Sequence, residues 1–415
     1  MKVLVVNCGS SSIKYQLFNM PDADVLAKGT VERIGEEHSR LIHNVNGDTY
    51  NLDTDAADHD QAMALVLDTL VDDKMGVISQ ISQIGAVGHR VVHGGEEFTG
   101  SMVIDDDVLA SIQKFADLAP LHNPPNLVGI RAAQHSLPDV PQIACFDTAF
   151  HATIPPTAYM YALPYELYEK FRIRRYGFHG TSHRYVARRA AILMKRGKYD
   201  VNVITCHLGN GCSMAAVKQG HSVDTSMGLT PLEGLVMGTR SGDFDPAILF
   251  YLAGKGYDVA ALNKLCNKQA GLIGVSGLSN DMRTLAQAAQ SGNERAQLAI
   301  DIFCYRVKKY IGAYTAVLGT LDAVIFTGGI GENSVEVRQN ACSNLSQLGL
   351  HLDEKVNADV RAREALVSTP DSPVKVFVIP TNEEAAIAND TYDIAKKRNE
   401  ECPDSECSRM MKSNS

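Results

Sequence analysis

The 415-residue sequence contains no Trp, and aromatic residues make up only 7% of it. Stacking platforms for sugars or single-stranded nucleic acid are therefore scarce. Excess basic charge is missing too, with 39 Lys and Arg against 48 Asp and Glu, a net −9. That argues against a nucleic-acid-coating protein, which presents a basic face, but it leaves room for a local cationic pocket. No apolar run approaches the ~18 residues of a membrane span. The stretch before Asn7 is shorter than the about 7–15 apolar residues of a secretory signal. Nine cysteines form no CxxC pair and no zinc-like Cys/His spacing. Cys145 and Cys206 sit in apolar runs, as small buried hydrophobes do. The expectation is a cytoplasmic protein that engages neither nucleic acid nor membrane. With 45% hydrophobic and 21% charged residues, global disorder is excluded, and the length suits two or three domains.

What is present begins with an apolar run, Val3 to Val6, then Asn7-Cys8-Gly9-Ser10-Ser11-Ser12, then Ile13, Tyr15 and Leu17 in alternation. This pattern predicts a strand–turn–strand hairpin. It is not a P-loop, because GxxxxGK[ST] is absent and nothing helical follows the glycine. The pattern returns at Val201 to Val217, where Asn7 falls opposite His207, Gly9 opposite Gly209 and Ser11 opposite Gly211. A repeat near half the chain length predicts two similar α/β halves, each contributing one turn to a cleft. Downstream, Ala296, Ile300, Phe303, Val307, Ile311, Tyr314 and Leu318 recur at helical spacing. Asp322 to Phe326 reads as a buried strand leading into a glycine turn, Thr327 to Ser334. Val374 to Ile379 reads as another strand, with a helix from Ala385 to about Lys397. The polar stretch from Asn399 onward reads as a disordered tail.

Three glycine turns follow strands, at Gly9, Gly209 and Gly328. Glycine lets backbone approach a ligand closely, and successive N–H groups form an anion nest. Three such turns suit a nucleotide's phosphates. Arginines recur beside glycines in runs that read as loops: Gly88 to Gly95, Arg174 to His183 and Met237 to Asp243. A guanidinium in that setting can meet a planar anion bidentately. Asp147 follows the apolar run Ile143 to Phe146, at a strand end where open α/β sheets build sites. Glu383 and Glu384 follow the last strand. Magnesium takes oxygen ligands and keeps waters, so one carboxylate plus nucleotide phosphates would hold it.

Seven motifs together resemble the acetate kinase family over about residues 1–397. They are Asn7-x-Gly9-Ser10-Ser11-Ser12-x-Lys14, Gly88 to Gly95, Phe146 to His151, Arg175 to His183, His207 to Ser213, Gly238 to Asp243 and Thr327 to Ser334. The resemblance implies an α/β, duplicated actin-like (ribonuclease H-like) ATPase fold with two lobes and a central nucleotide and substrate cleft. The lobes would be residues 1–149 with about 384–398, on the acyl side, and 150–383, on the nucleotide side. It further implies a homodimer and the reaction of ATP with acetate to give ADP and acetyl phosphate. Arg90 and Arg240 would contact the carboxylate and phosphoryl groups. His179 would stabilise the transition state, and Asp147 would act as acid/base or positioning group. Magnesium, replaceable by manganese, would sit at Asn7 and Glu383. Nucleotide contacts carry over to Lys14, His207, Leu208, Gly209, Asn210, Gly211, Asp281, Met282, Arg283, Gly329, Ile330, Gly331, Glu332 and Asn333. Val92, Leu121, Phe178 and Pro231 would line the acyl pocket.

The implied chemistry is coherent with the residues. Acetate is already ionised at neutral pH, so its attack needs no general base. The work is to bring an anion against a polyanion and to stabilise charge on the transferring phosphoryl group. Asp147 is therefore expected to orient an arginine rather than move a proton. Val92, bulkier than the Ala that propionate-preferring relatives tend to carry, favours acetate. A propionate or butyrate kinase, or a non-catalytic nucleotide-switched scaffold on the same fold, are the other readings.

Overall fold

Alternation along the first strand decides how the N-terminal part is layered. Strand β1 (Lys2–Cys8) sends Leu4, Val6 and Cys8 to one face and Val3 and Val5 to the other, and both faces are buried. The period-2 geometry of a strand requires this split, and an apolar run without polar breaks marks a strand covered on both sides. The computed structural model describes residues 1–120 and 122–401. Leu121, Cys402, Cys407 and the rest of the expected tail beyond Glu401 lie outside the described residues.

The chain divides into two compact units, Met1–Ala149 together with the stretch from Glu383 onward, and Phe150–Asn382. Glu383, counted with the second half from sequence, belongs to the first. In the first unit, β1 pairs antiparallel with β2 (Ser12–Asn19), from Lys2↔Asn19 to Cys8↔Ile13. Strands β3 (Asp24–Glu32), β4 (Ser39–Val45), β5 (Asp48–Thr54), β6 (Ile84–Val91), β7 (Met102–Val103) and β8 (Gln142–Phe146) complete a sheet of order β5-β4-β3-β2-β1-β6-β8-β7. The helices His59–Val71 and Asn123–Ser136 cover one face. The helix Glu383–Glu401 covers the other through Ala385, Ile387, Ala388 and Ala395.

The second unit repeats the plan. Strand β9 (Asn202–Leu208) pairs antiparallel with β10 (Cys212–Lys218), from Asn202↔Lys218 to Leu208↔Cys212. With β11 (His221–Thr225), β12 (Ala323–Thr327), β13 (Ala365–Leu366) and β14 (Lys375–Val378), the order is β11-β10-β9-β12-β14-β13. The series β3-β2-β1-β6-β8 thus recurs as β11-β10-β9-β12-β14, with β1 and β9 each antiparallel to the hairpin partner and parallel to the next strand. The duplicated α/β fold expected from the two hairpins is present. The long amphipathic helix is also present, as Glu294–Leu318. Among the described residues, no helix is long and apolar enough to cross a membrane.

Four local expectations are corrected. The segment after β12 is a short helix, Gly328–Asn333, rather than a turn. Glu332 Oε1 accepts from Gly328 N at 2.8 Å, so a side chain satisfies the helix start that glycine leaves bare. Arg90 lies on β6, not in a loop. Gly88 precedes it because a Cβ there would meet Thr391 Oγ1 of the covering helix at 2.3 Å, so this glycine reports close packing. Asn7 is inside β1, which runs to Cys8. The last described helix starts at Glu383 rather than Ala385 and continues to Glu401, so residues 399–401 are helical rather than part of a tail.

Candidate active site

In the first unit, Asp147 emerges from β8 beside the end of β6, with its backbone N–H donating to Val91 O at 2.9 Å. Its carboxylate is buried and receives Arg90 as a fork, Nε to Oδ1 at 3.1 Å and Nη2 to Oδ2 at 2.7 Å. The pair is bidentate and directional, the strongest form of such a contact. Asp147 holds the guanidinium above its ordinary range, with Glu383 and Glu384 adding to the effect. The Arg90 side chain is still 26% exposed while that of Asp147 is only 2% exposed, so Arg90 can meet a solute while the aspartate orients it from behind. Burial pushes the Glu383 carboxyl up to about 7, against the pull of Arg90 and with Asp147 and Glu384 adding to the rise.

Val92 is buried just beyond β6. Its N–H donates to Asn126 Oδ1 at 3.2 Å, and Asn126 Nδ2 donates to Cys8 O at 2.9 Å. Asn126 therefore ties the first glycine turn to the end of β6. Asn123, one turn earlier in the same helix, exchanges hydrogen bonds with the His93 backbone. Sequence reasoning missed both asparagines. The signal was Asn123-Pro124-Pro125-Asn126, since paired prolines mark a helix start. Lys14 stands opposite Asn7 in the hairpin register. Asn7, Lys14, Lys28, Asn44 and Glu384 line one cavity of about 240 Å³.

In the second unit, the His207–Gly211 turn leaves β9 and meets two other predicted segments. Asn210 Oδ1 accepts from Asn280 Nδ2 at 2.9 Å, beside Asp281, and a Cβ on Gly328 would touch Leu208 O at 2.8 Å. Asp281 caps the helix Met282–Gln290 through Thr284 N, Met282 is buried beneath it, and Arg283 is exposed. Gly329, Ile330, Gly331 and Asn333 lie on the short helix after β12. The Glu332 carboxylate is engaged by the N–H groups of Gly328 and Thr381. Arg338, not singled out from sequence, is fully buried and donates to Asn357 Oδ1 and to the carbonyls of Gly331, Glu332, Asn357 and Val360. It ties down the C-terminal end of the short helix. Burial pulls its pKa down to about 10.

His179 precedes the helix Gly180–Leu193 in a left-handed conformation, φ 57°. Its ring stacks on His207 with centroids 4.3 Å apart, and its Nδ1 lies 2.8 Å from Ser213 Oγ. A Cβ on Gly211 would lie 3.6 Å from Arg240 Nη1 and 3.8 Å from His179 Nε2, so both groups flank the glycine turn. Arg240 Nη1 donates to Pro231 O at 3.2 Å, and among the described residues no carboxylate pairs with it. A partly buried cation beside a glycine turn, with only neutral partners among the described residues, can receive an anion. The loop that carries Arg240 is held by Asp243, which accepts from Gly234 N and Tyr310 Oη.

Arg174 and Arg175, read from sequence as anion ligands, are structural instead. Arg175 pairs with Glu233 at 2.6 Å, and Arg174 stacks 3.6 Å over Tyr159. Of the acyl-pocket candidates, Val92 lies in the first unit, Phe178 and Pro231 lie in the second, and Leu121 is outside the described residues.

An α/β sheet built twice, each copy led by a glycine-turn hairpin, is the duplicated actin-like fold, and the proteins similar to this chain are kinases with a carboxylate acceptor. The Acetokinase family matches residues 2–389. Similar proteins include acetate kinases of Pseudothermotoga lettingae (55% identity over 95% of this chain and 98% of that one) and Halothermothrix orenii (56%, 95% and 100%). Similar solved structures include Porphyromonas gingivalis acetate kinase (48% identity, TM-score 0.92, 95% and 99% covered) and a Francisella tularensis propionate kinase (43%, 0.88, 95% and 99%). The chain belongs to the acetokinase family.

Proposed function

We propose that the protein catalyses reversible transfer of the γ-phosphoryl group of ATP to acetate, giving acetyl phosphate and ADP. The observation that carries the reading is Arg240, cationic and, among the described residues, without a carboxylate partner, standing with His179 at the Gly211 turn. Relatives at 55–56% identity that are named acetate kinases support the choice of acceptor. The first unit supplies the acyl side: Arg90, oriented by Asp147, binds the carboxylate, and Val92 packs against the methyl group. The second unit supplies the nucleotide side through the segments at residues 207–211, 281–283 and 329–333, with Lys14 of the first unit contacting phosphate. The acetate oxygen attacks phosphorus directly and in line, and the guanidinium of Arg240 and the imidazole of His179 stabilise charge on the equatorial oxygens. No proton leaves acetate, so Asp147 acts by orienting Arg90.

The donor set fits magnesium. Asn7 offers a neutral oxygen, and Glu383 is a carboxyl whose buried charge a cation would offset. Magnesium keeps waters and shares phosphates, so one carboxyl and one neutral oxygen suffice on the protein side. When bound, magnesium (or manganese) neutralises phosphate charge.

The protein is a homodimer and cytoplasmic. Ala247–Ala253 is an entirely apolar helix with no buried residue, Phe250 is 77% exposed and nearby Val259 is 83% exposed. A second copy of this chain is the occupant that covers them. The seven cysteines among the described residues are buried and in no disulfide, as a reducing compartment allows. Trapping of acyl phosphate with ATP, Mg²⁺ and a carboxylate series tests the reaction. Acetate should give the highest kcat/KM. Preference for propionate would replace the acceptor, and no trapped product would overturn the reading. Sedimentation tests the dimer, which Phe250→Glu should split; a monomeric wild type refutes it.

A further inference from the structure

We infer that Thr205, His183 and Ser213 form a hydrogen-bond relay that fixes His179 in the tautomer protonated on Nε2, so that it presents a donor at the Gly211 turn. The inference rests on the role proposed above for His179 and extends it to three positioning residues.

The relay is a continuous line of heavy atoms. Ser213 Oγ lies 2.8 Å from His179 Nδ1 and 2.7 Å from His183 Nε2, and His183 Nδ1 lies 2.7 Å from Thr205 Oγ1. Thr205, His183 and Ser213 are fully buried. Local structure explains the alignment. Thr205 lies on β9 and Ser213 on β10, while His183 sits one turn along the helix that His179 precedes. His183 N donates to His179 O at 2.9 Å, which locks the two histidines to one helical start.

Burial holds His183 neutral, with His151 and His207 opposing its protonation. One of its ring nitrogens therefore carries a proton and the other accepts. Thr205 decides which. Its hydroxyl has one proton, and among the described residues its only partner is His183 Nδ1. Were Thr205 to accept there, its own proton would be stranded in a fully buried position, which is costly. Thr205 therefore donates to His183 Nδ1, His183 Nε2–H donates to Ser213, and Ser213 donates to His179 Nδ1. With Nδ1 accepting, the ring proton of His179 is placed on Nε2, the atom 3.8 Å from a Cβ on Gly211, where Arg240 Nη1 is also near. A phosphoryl oxygen then meets N–H donors from both groups. The opposite tautomer would turn a lone pair toward a developing negative charge.

Long-range ¹H–¹⁵N spectra of histidine-labelled full-length protein test the relay directly, with His179 assigned by its loss in His179→Gln. The expected spectrum shows His179 neutral with its proton on Nε2. Ser213→Ala should mix the tautomers and lower kcat about 10- to 100-fold. That is less than the about 10²- to 10³-fold loss of removing a positioned donor outright. The KM values for acetate and ATP should stay within about twofold. Thr205→Val should lower kcat by about five- to tenfold, the scale of one hydrogen bond, and Thr205→Ser should restore it. Wild-type His179 with its proton on Nδ1 overturns the relay, as does unchanged kcat in both Ser213→Ala and Thr205→Val. Should Ser213→Ala fail to fold, the wild-type spectrum and the Thr205 pair still decide. Full activity in His179→Ala would instead refute the role of His179, a result the tautomer measurement does not mimic.

Discussion

Replacing Asp147 by Asn separates orientation from proton transfer. The side chain keeps its shape and can still accept from Arg90 Nε through one oxygen. Its amide group then faces Arg90 Nη2, where the wild type has the 2.7 Å bond. One charge-assisted hydrogen bond is lost, worth about 1.5–3 kcal/mol. At about 1.36 kcal/mol per factor of ten, kcat/KM for acetate should fall about 10- to 150-fold. The value for ATP should change much less, because the disturbed guanidinium serves the carboxylate. Both limbs of the pH–rate profile should remain, since no proton is moved, although loss of the Asp147 charge should move the Glu383 titration downward. Steady-state kinetics across the neutral range, with thermal unfolding to confirm an intact fold, provide the assay. A loss near 10⁴-fold with one limb of the profile abolished would place Asp147 in general acid–base catalysis and refute the reasoning. Activity within about twofold of wild type would remove Asp147 from the site altogether.

Val92→Ala enlarges the acyl pocket and should raise the propionate-to-acetate ratio of kcat/KM by about tenfold, the lower end for one methylene; competition between the two acids would show no shift if Val92 lies elsewhere. Arg338→Met leaves five acceptors below the Gly328–Asn333 helix without their donor. It should cost about 3–5 kcal/mol of stability and raise the KM for ATP more than that for acetate, measured by chemical denaturation and initial rates. Burial lowers both His89 and His93 to about 4. The unfolded chain protonates them near 6.5, so it binds more protons than the native state between these values. These two histidines should therefore lower stability as pH falls from about 6.5 to 4, by at most about 3 kcal/mol each, while Glu383, raised to about 7, acts in the opposite sense. Denaturation midpoints that stay flat over that interval would contradict the assignment.

How much of this was legible in the sequence depended on whether local pattern or distant packing decided the outcome. Both hairpins were readable because alternation and a small-residue turn act within a few residues, and the helix Glu294–Leu318 was readable from its spacing. Gly328–Asn333 was misread because its glycines speak against a helix locally, while Glu332, Thr381 and Arg338 stabilise it. Gly88 reads as a loop residue because only the helix returning at Glu383 shows why no side chain fits. Arg240 and Arg175 look alike in sequence. Only the position of Glu233 makes one structural, and the lack of such a neighbour among the described residues leaves the other available for a ligand. Asn126, which joins Val92 to Cys8, shows in the sequence only as part of a helix start, because its two partners lie far away along the chain.

The helix Glu383–Glu401 buries Val3, Val5, Ala86, Ile143 and Cys145, all belonging to the opening part of the chain. On a ribosome, that sheet face must wait while the intervening roughly 230 residues are made, about 12–50 s at ordinary elongation rates. The first unit is begun first and finished last. A nascent chain stalled between Phe146 and Glu383 therefore presents an uncovered apolar sheet face, the kind of surface that aggregates or recruits a chaperone.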